Sequence, residues 1–200
     1  MVPPAAPDLA RIILIGGGAR SGKSRFALQR ARRLGDKRVF VATGQSLDDE
    51  MSERIAAHVR TRGPDFRTVE EPLELPAALG AIDDADVVVV DCLTLWLSNL
   101  LVRGDTEAQV DARVQALAAA LLRRRFHALL VTNEVGLGIV PETALGRLFR
   151  DVAGRAHQRL AAISDEIFLA ILGTVLRVRP EPLAIAPPGS DPHATDGAPP

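Results

Sequence analysis

The chain has 200 residues, a formal net charge of -1 at pH 7, 47% hydrophobic residues and a single cysteine, Cys92. That length suffices for one domain with a sizeable core, the charge balance gives no electrostatic ground for a nucleic-acid partner, and one cysteine excludes an internal disulfide and fits a reducing compartment. The opening MVPPAAPDLA lacks the basic start and apolar stretch of a secretory signal, and no apolar run reaches membrane-spanning length, so a cytoplasmic protein without membrane insertion is expected.

Proline marks the ends. Of 14 prolines, seven lie between Pro180 and Pro200 and three in the first seven residues. Segments of that composition bury too little apolar surface to offset the entropy of ordering them. The expected organisation is therefore a disordered stretch 1–9, a folded domain 10–179 and a disordered proline-rich tail 180–200.

Within the domain, the first apolar run is Ile12-Ile13-Leu14-Ile15. A helical pattern follows from Lys23 to Leu34. Val39-Phe40-Val41-Ala42 is the second run, and a second helical pattern covers Leu47 to Arg62, with Ser46 and Asp49 as a capping pair and Gly63-Pro64 as the stop. Val87-Val88-Val89-Val90 is the third run. A long helix is expected from Thr106 to Arg125, before the fourth run, Ala128-Leu129-Leu130-Val131. Another begins after Pro141 and reaches about Ile163. Glu166 to Leu172 and Thr174 to Val178 read as two final strands turning at Gly173. Continuous rather than alternating apolar runs suit strands covered on both faces, and their alternation with helices predicts an α/β fold with a mostly parallel sheet, right-handed crossovers and a C-terminal β-hairpin.

The segment after the first run reads Gly17-Gly18-Ala19-Arg20-Ser21-Gly22-Lys23-Ser24, which fits G-x-x-x-x-G-K-[ST]. Small residues let backbone N–H groups curl around an anion, and the helix that opens near Gly22 adds its positive end. Lys23 can reach the β- and γ-phosphates of ATP or GTP, and the Ser24 hydroxyl can coordinate Mg2+. Strand before and helix after are the context this motif requires, so the fold expected is that of a P-loop NTPase.

Asp91 ends the third run. It reads either as the carboxylate that holds the magnesium ion or its water at the tip of a buried strand, or as the N-cap of a helix from Leu93. Arg54, His58 and Arg62 recur at i, i+4, i+8 and share one helical stripe, beside the apolar stripe Met51, Ile55 and Val59. Two nearby cations favour neutral imidazole, which carries the lone pair of a nucleophile; the same spacing also describes a solvated helix face. His127, His157 and His193 are less informative, and no C-x-x-C or H-E-x-x-H spacing indicates structural zinc.

Further blocks carry a resemblance. The phosphate loop is followed by Ala42-Thr43-Gly44-Gln45, by Asp48-Asp49-Glu50-Met51 with Arg54-Ile55 and His58, by Asp91-Cys92-Leu93-Thr94 and by Asn99-Leu100-Leu101. Then come Val131-Thr132-Asn133-Glu134-Val135-Gly136, Gly138-Ile139-Val140-Pro141-Glu142, Phe149-Arg150-Asp151 and Gly154-Arg155. Together these resemble the bifunctional adenosylcobinamide kinase / adenosylcobinamide-phosphate guanylyltransferase family of cobalamin biosynthesis, over about Ile12 to Val178.

The resemblance implies a RecA-like P-loop fold, a homotrimer, and two reactions. A nucleoside triphosphate phosphorylates the aminopropanol hydroxyl of adenosylcobinamide; GTP then gives GMP to that phosphate through a GMP-histidine intermediate. The matching histidine is His58, although this chain has Ala57-His58 where some relatives carry two histidines. Thr43, Gly44 and Gln45 match one nucleotide-contacting turn, and Arg60, Thr61, Arg62 and Gly63 match a second. Glu70 and Asp91 match acidic positions near the guanosine or the metal; by composition Glu70, beside Glu71, reads equally as a solvated charge. Asn133 and Glu134, at the end of a central strand, read as a nucleotide- or cobinamide-positioning element or as a structural turn. Two other functions stay open on the residues alone: a P-loop small-molecule kinase without guanylyl transfer, and a nucleotide-regulated switch protein.

Overall fold

The computed structural model describes residues 10–45 and 63–180. The two terminal stretches and the Leu47 to Arg62 helix, with His58, Arg60, Thr61 and Arg62, lie outside the described residues.

A seven-stranded sheet organises the molecule. In chain order the elements are β1 (Ile12–Gly17), α1 (Lys23–Ala31), β2 (Arg38–Ala42), β3 (Arg67–Glu70), α2 (Leu75–Gly80), β4 (Val87–Asp91), α3 (Leu93–Arg103), α4 (Glu107–Leu121), β5 (His127–Val131), α5 (Ala144–Ile163), β6 (Glu166–Ile171) and β7 (Thr174–Arg179). The strand order is β3-β2-β4-β5-β1-β6-β7, parallel throughout except for the antiparallel β6–β7 hairpin. This is the expected α/β class with its C-terminal hairpin.

The four apolar runs are the four central strands. Each is buried along its length because helices cover both faces. Alternate residues feed two cores. Ile12, Leu14, Val39, Val41, Val88, Val90, Ala128 and Leu130 pack under α2 to α5, with Trp96, Leu97 and Leu100 of α3 fully buried among them. Ile13, Ile15, Phe40, Val87, Val89, Leu129 and Val131 face Ala27, Leu28 and Ala31 of α1. Each such aliphatic side chain contributes roughly 1.5–3 kcal/mol on full burial.

Three elements depart from the expected set. β3 reads Arg-Thr-Val-Glu, has one apolar residue and lies on the sheet edge, where charged side chains face water; its pairing comes from the backbone of β2. α2 is a short helix, and Pro76 sits in its first turn, where a missing N–H costs nothing. α3 buries Leu93, Trp96, Leu97, Leu100 and Leu101 at helical spacing, but Leu95 and Val102 on its less buried side fill out the apolar run and mask that period in the sequence. The long helix expected from Thr106 begins one residue later, and Thr106 is its N-cap: its hydroxyl accepts from Gln109 N–H, while the Gln109 side chain accepts from Thr106 N–H at 2.7 Å. The helix over Lys23 to Leu34 ends at Ala31. The β6–β7 turn has Leu172 and Gly173 both at positive φ, 50° and 78°, the hairpin geometry whose twist matches the strands.

At the amino end of the sheet, Asp165 ties the α5–β6 junction to β1. Its carboxylate accepts Ile12 N–H at 2.7 Å and a bidentate pair from Arg124 at 2.8 and 3.0 Å.

Candidate active site

Parallel strands bring their carboxyl ends to one edge. Glu70, Ala42, Asp91, Val131 and Ile15 form a row across β3, β2, β4, β5 and β1, and Gly17 lies two residues further along β1. Residues far apart in sequence, namely Gly17 to Ser24, Thr43 to Gln45, Glu70, Asp91 and Thr132 to Glu134, therefore share one rim. That is where open α/β sheets bind ligands.

The phosphate loop turns at this rim. Gly17 has φ +153°, and a Cβ there would lie 2.4 Å from the Ala170 carbonyl oxygen, so only glycine lets β1 leave the sheet against β6. On its other side, Gly17 C=O accepts Glu134 N–H at 3.1 Å. Ser21 N–H returns to Gly18 C=O at 3.3 Å and closes the turn, with Arg20 at φ 55° and Gly22 at φ 96°. Gly22 is the N-cap of α1; no side chain caps this end, and its first turn carries no acid. Its positive end thus keeps amide donors for an anion.

Lys23 is only 7% exposed, and its Nζ donates to Gly18 C=O at 3.0 Å. Burial lowers its pKa, while Asp91 and Cys92 pull it back up. Asp91 is thus near enough to Lys23 to act on it. It is the last residue of β4 and not a helix cap; Cys92 holds the N-cap position of α3. Ser24 and Asp91, half-buried oxygen donors, suit a hard cation such as Mg2+.

A buried polar framework supports the rim. Thr43, 0% exposed, spends both capacities of its hydroxyl on Cys92: Oγ1 accepts Cys92 N–H at 2.8 Å and donates to Cys92 C=O at 2.7 Å. Asn99 donates to Thr43 C=O at 2.8 Å and Pro72 C=O at 3.1 Å, so α3 fixes the Thr43-Gly44-Gln45 turn and the segment after Glu70 together. Burial pushes the Cys92 thiol pKa up, as does Asp91, and its Sγ lies 3.1 Å from Thr94 Oγ1. This is a packed thiol and not an activated one. Asn133 Nδ2 donates to Thr94 Oγ1 at 3.0 Å. Beside it Thr132 Oγ1 lies 2.6 Å from His157 Nε2 of α5. Burial lowers the His157 pKa and Glu134 raises it.

Of the sequence-derived candidates, the structure brings the phosphate loop, the Thr43 turn, Glu70 and Asp91 to this one edge. Gly63, at φ +74°, precedes β3 and starts from the opposite end of the sheet. Glu70 is exposed at the end of β3. The clamp made by Asn99 and the Thr132–His157 pair were not singled out from sequence; the one available signal was a lone amide in the apolar run Leu93 to Leu101.

A glycine-built anion loop between β1 and α1, opposite an acidic strand tip, defines the class as a P-loop nucleotide-binding protein. The family model for cobinamide kinase / cobinamide phosphate guanyltransferase matches residues 13–178, and the chain belongs to that family. It is 42% identical over 183 residues to the bifunctional adenosylcobalamin biosynthesis protein CobU of Escherichia coli (strain K12), covering 84% of this chain and 99% of that one. It is 42% identical over 171 residues to the bifunctional adenosylcobalamin biosynthesis protein CobP of Pseudomonas aeruginosa (strain PAO1), covering 85% and 98%. Among solved structures it is similar to the flagellar accessory protein FlaH of Methanocaldococcus jannaschii, with TM-score 0.48, 11% identity, and coverage of 84% and 76%.

Proposed function

We propose that this chain performs two successive reactions on one corrinoid: it phosphorylates adenosylcobinamide with ATP or GTP, then transfers GMP from GTP to the new phosphate, giving adenosylcobinamide-GDP. The observation that carries this reading is the complete phosphate loop, with Lys23 buried across it, in a chain that matches the cobinamide kinase / cobinamide phosphate guanyltransferase family over residues 13–178.

In the first reaction the aminopropanol hydroxyl attacks the γ-phosphorus, loses its proton, and the bond to the β-bridging oxygen breaks to release the nucleoside diphosphate. Backbone amides of Gly17 to Ser24 hold the phosphates, and Lys23 stabilises the charge that spreads over them. Mg2+ would be held by Ser24 and Asp91 together with phosphate oxygens, and would neutralise part of that charge.

In the second reaction a neutral His58 nitrogen attacks the α-phosphorus of GTP and pyrophosphate leaves. The corrinoid phosphate then attacks the same phosphorus, the P–N bond breaks, and the imidazole returns. Covalent capture splits one difficult transfer into two easier ones. Thr43, Gly44, Gln45, Arg60, Thr61, Arg62 and Glu70 are proposed to contact the guanosine nucleotide.

A cytoplasmic homotrimer completes the reading. The exposed Leu137 (88%) and Ile139 (96%) after β5 supply apolar area for another copy to cover. Light scattering should then give about three times 21.4 kDa. Among the described residues no helix is long and apolar enough to cross a membrane.

The test is product analysis by mass spectrometry. Adenosylcobinamide with Mg2+ and ATP or GTP should gain one phosphate, and with GTP then gain GMP. Recovery of unmodified corrinoid with both nucleotides would contradict the proposal.

A further inference from the structure

Two side chains just beyond the end of β5 are tied to two different helices of the same layer. Thr132, 3% exposed, meets His157 of α5 at 2.6 Å; Asn133 donates to Thr94 in the first turn of α3 at 3.0 Å. Between them the backbone continues as a third rail beside β1. Thr132 N–H donates to Ile15 C=O at 3.0 Å, and Glu134 N–H donates to Gly17 C=O at 3.1 Å. Gly17 is the first residue of the phosphate loop, and its other side abuts Ala170, so it has no room to shift toward β6. Gly17 is thus held between β6 on one side and the segment after β5 on the other.

We infer that His157 is a positioning residue for nucleotide binding: its bond to Thr132 holds the segment Thr132 to Glu134 as the side wall of the phosphate loop, between that loop and Asp91. The chemistry fits a rigid strut. His157 is half-buried, its helical neighbours at i-4, i-3, i+3 and i+4 are Ala153, Gly154, Leu160 and Ala161, and none of these offers a competing hydrogen bond from its side chain. A buried hydroxyl left without this partner would turn toward another hydrogen-bonding group, and the segment carrying it would move with it. A displaced Glu134 amide releases Gly17, and the loop amides then lose their common focus on the phosphates.

The inference rests on the nucleotide-site reading and is independent of the corrinoid. It is tested with GTP and Mg2+ alone, by calorimetry on Thr132→Val, His157→Ala, His157→Gln and Thr132→Ser, each checked for melting temperature. Removing the bond in Thr132→Val or His157→Ala should weaken GTP binding about tenfold. His157→Gln places a side-chain amide, which donates through its nitrogen or accepts through its oxygen, close to the Nε2 position, and Thr132→Ser keeps the hydroxyl, so both should bind within about threefold of the unaltered chain. Where His157→Ala misfolds, Thr132→Val against Thr132→Ser decides the matter. Folded Thr132→Val and His157→Ala proteins with unaltered GTP affinity, or a loss that His157→Gln and Thr132→Ser share, would overturn the brace while leaving the nucleotide site standing. Failure of the unaltered chain to bind GTP would refute the nucleotide site, and the brace with it.

Discussion

Thr43 and Cys92 exchange two hydrogen bonds: the Thr43 hydroxyl accepts from Cys92 N–H at 2.8 Å and donates to Cys92 C=O at 2.7 Å. One side chain thereby satisfies both backbone groups of the residue that follows Asp91. The tip of β2 is locked to the tip of β4, and with it the stance of Asp91 toward Lys23.

Thr43→Val keeps the shape and deletes both bonds, leaving the buried Cys92 N–H without its acceptor, while Cys92 C=O keeps Trp96 N–H at 3.2 Å. It should lower unfolding free energy by about 1–3 kcal/mol, and Thr43→Ser should recover most of that. Denaturant unfolding of the two variants checks this; equal stability of Thr43→Val and the unaltered chain would show that the pair contributes nothing.

Lys23 sits across the phosphate loop with its Nζ on Gly18 C=O, 3.0 Å away. Lys23→Ala removes the cation and leaves the fold, since the buried stem is replaced by a small apolar side chain. Losing charge-assisted bonds to the phosphates should cost about 2–3 kcal/mol, roughly a hundredfold in GTP affinity by calorimetry. Both catalytic activities should fall with it. GTP affinity left intact would remove the loop from the nucleotide site.

Asp165 gives a pH signature. The bidentate bond from Arg124, followed by Ile12 N–H, holds its carboxyl below the ordinary value of 3.8. A depressed folded-state pKa means stability that is fully present above the unfolded value and lost as pH falls through the folded one. Asp165→Asn should therefore melt at a lower temperature than the unaltered chain at pH 7, and the gap should close as the pH drops below 3.8. A gap of constant size between pH 7 and pH 3 would rule out this linkage.

The parts legible in sequence were those whose physics is local. Four uninterrupted apolar runs announce strands buried on both faces, and Gly17 to Ser24 announces an anion loop because its glycines and lysine have one geometry in common. The Thr106 cap is likewise local. What escaped was tertiary. β3 is a strand only because β2 offers it a backbone edge, and its own residues are charged. α3 masks its period because Leu95 and Val102, outside its buried stripe, are apolar as well. The Asn99 clamp, the Thr43–Cys92 exchange and the Thr132–His157 strut join residues 27, 56, 49 and 25 positions apart, and no spacing rule reaches across the sheet to find them. Asp91 was legible as a strand-end acid, but only the fold assigns the cap of the next helix to Cys92.

In the proposed reaction one chain both binds a triphosphate at the loop and takes up its nucleotide on an imidazole. The most direct measurement uses GTP labelled at the α-phosphorus, incubated with the chain and Mg2+, then quenched in acid or in base. A GMP-histidine at His58 should give one protein-bound label that acid removes and base spares, absent in His58→Ala, while His58→Ala still phosphorylates adenosylcobinamide. A label that persists in His58→Ala, or no protein-bound label at all from a chain that binds GTP, would contradict it.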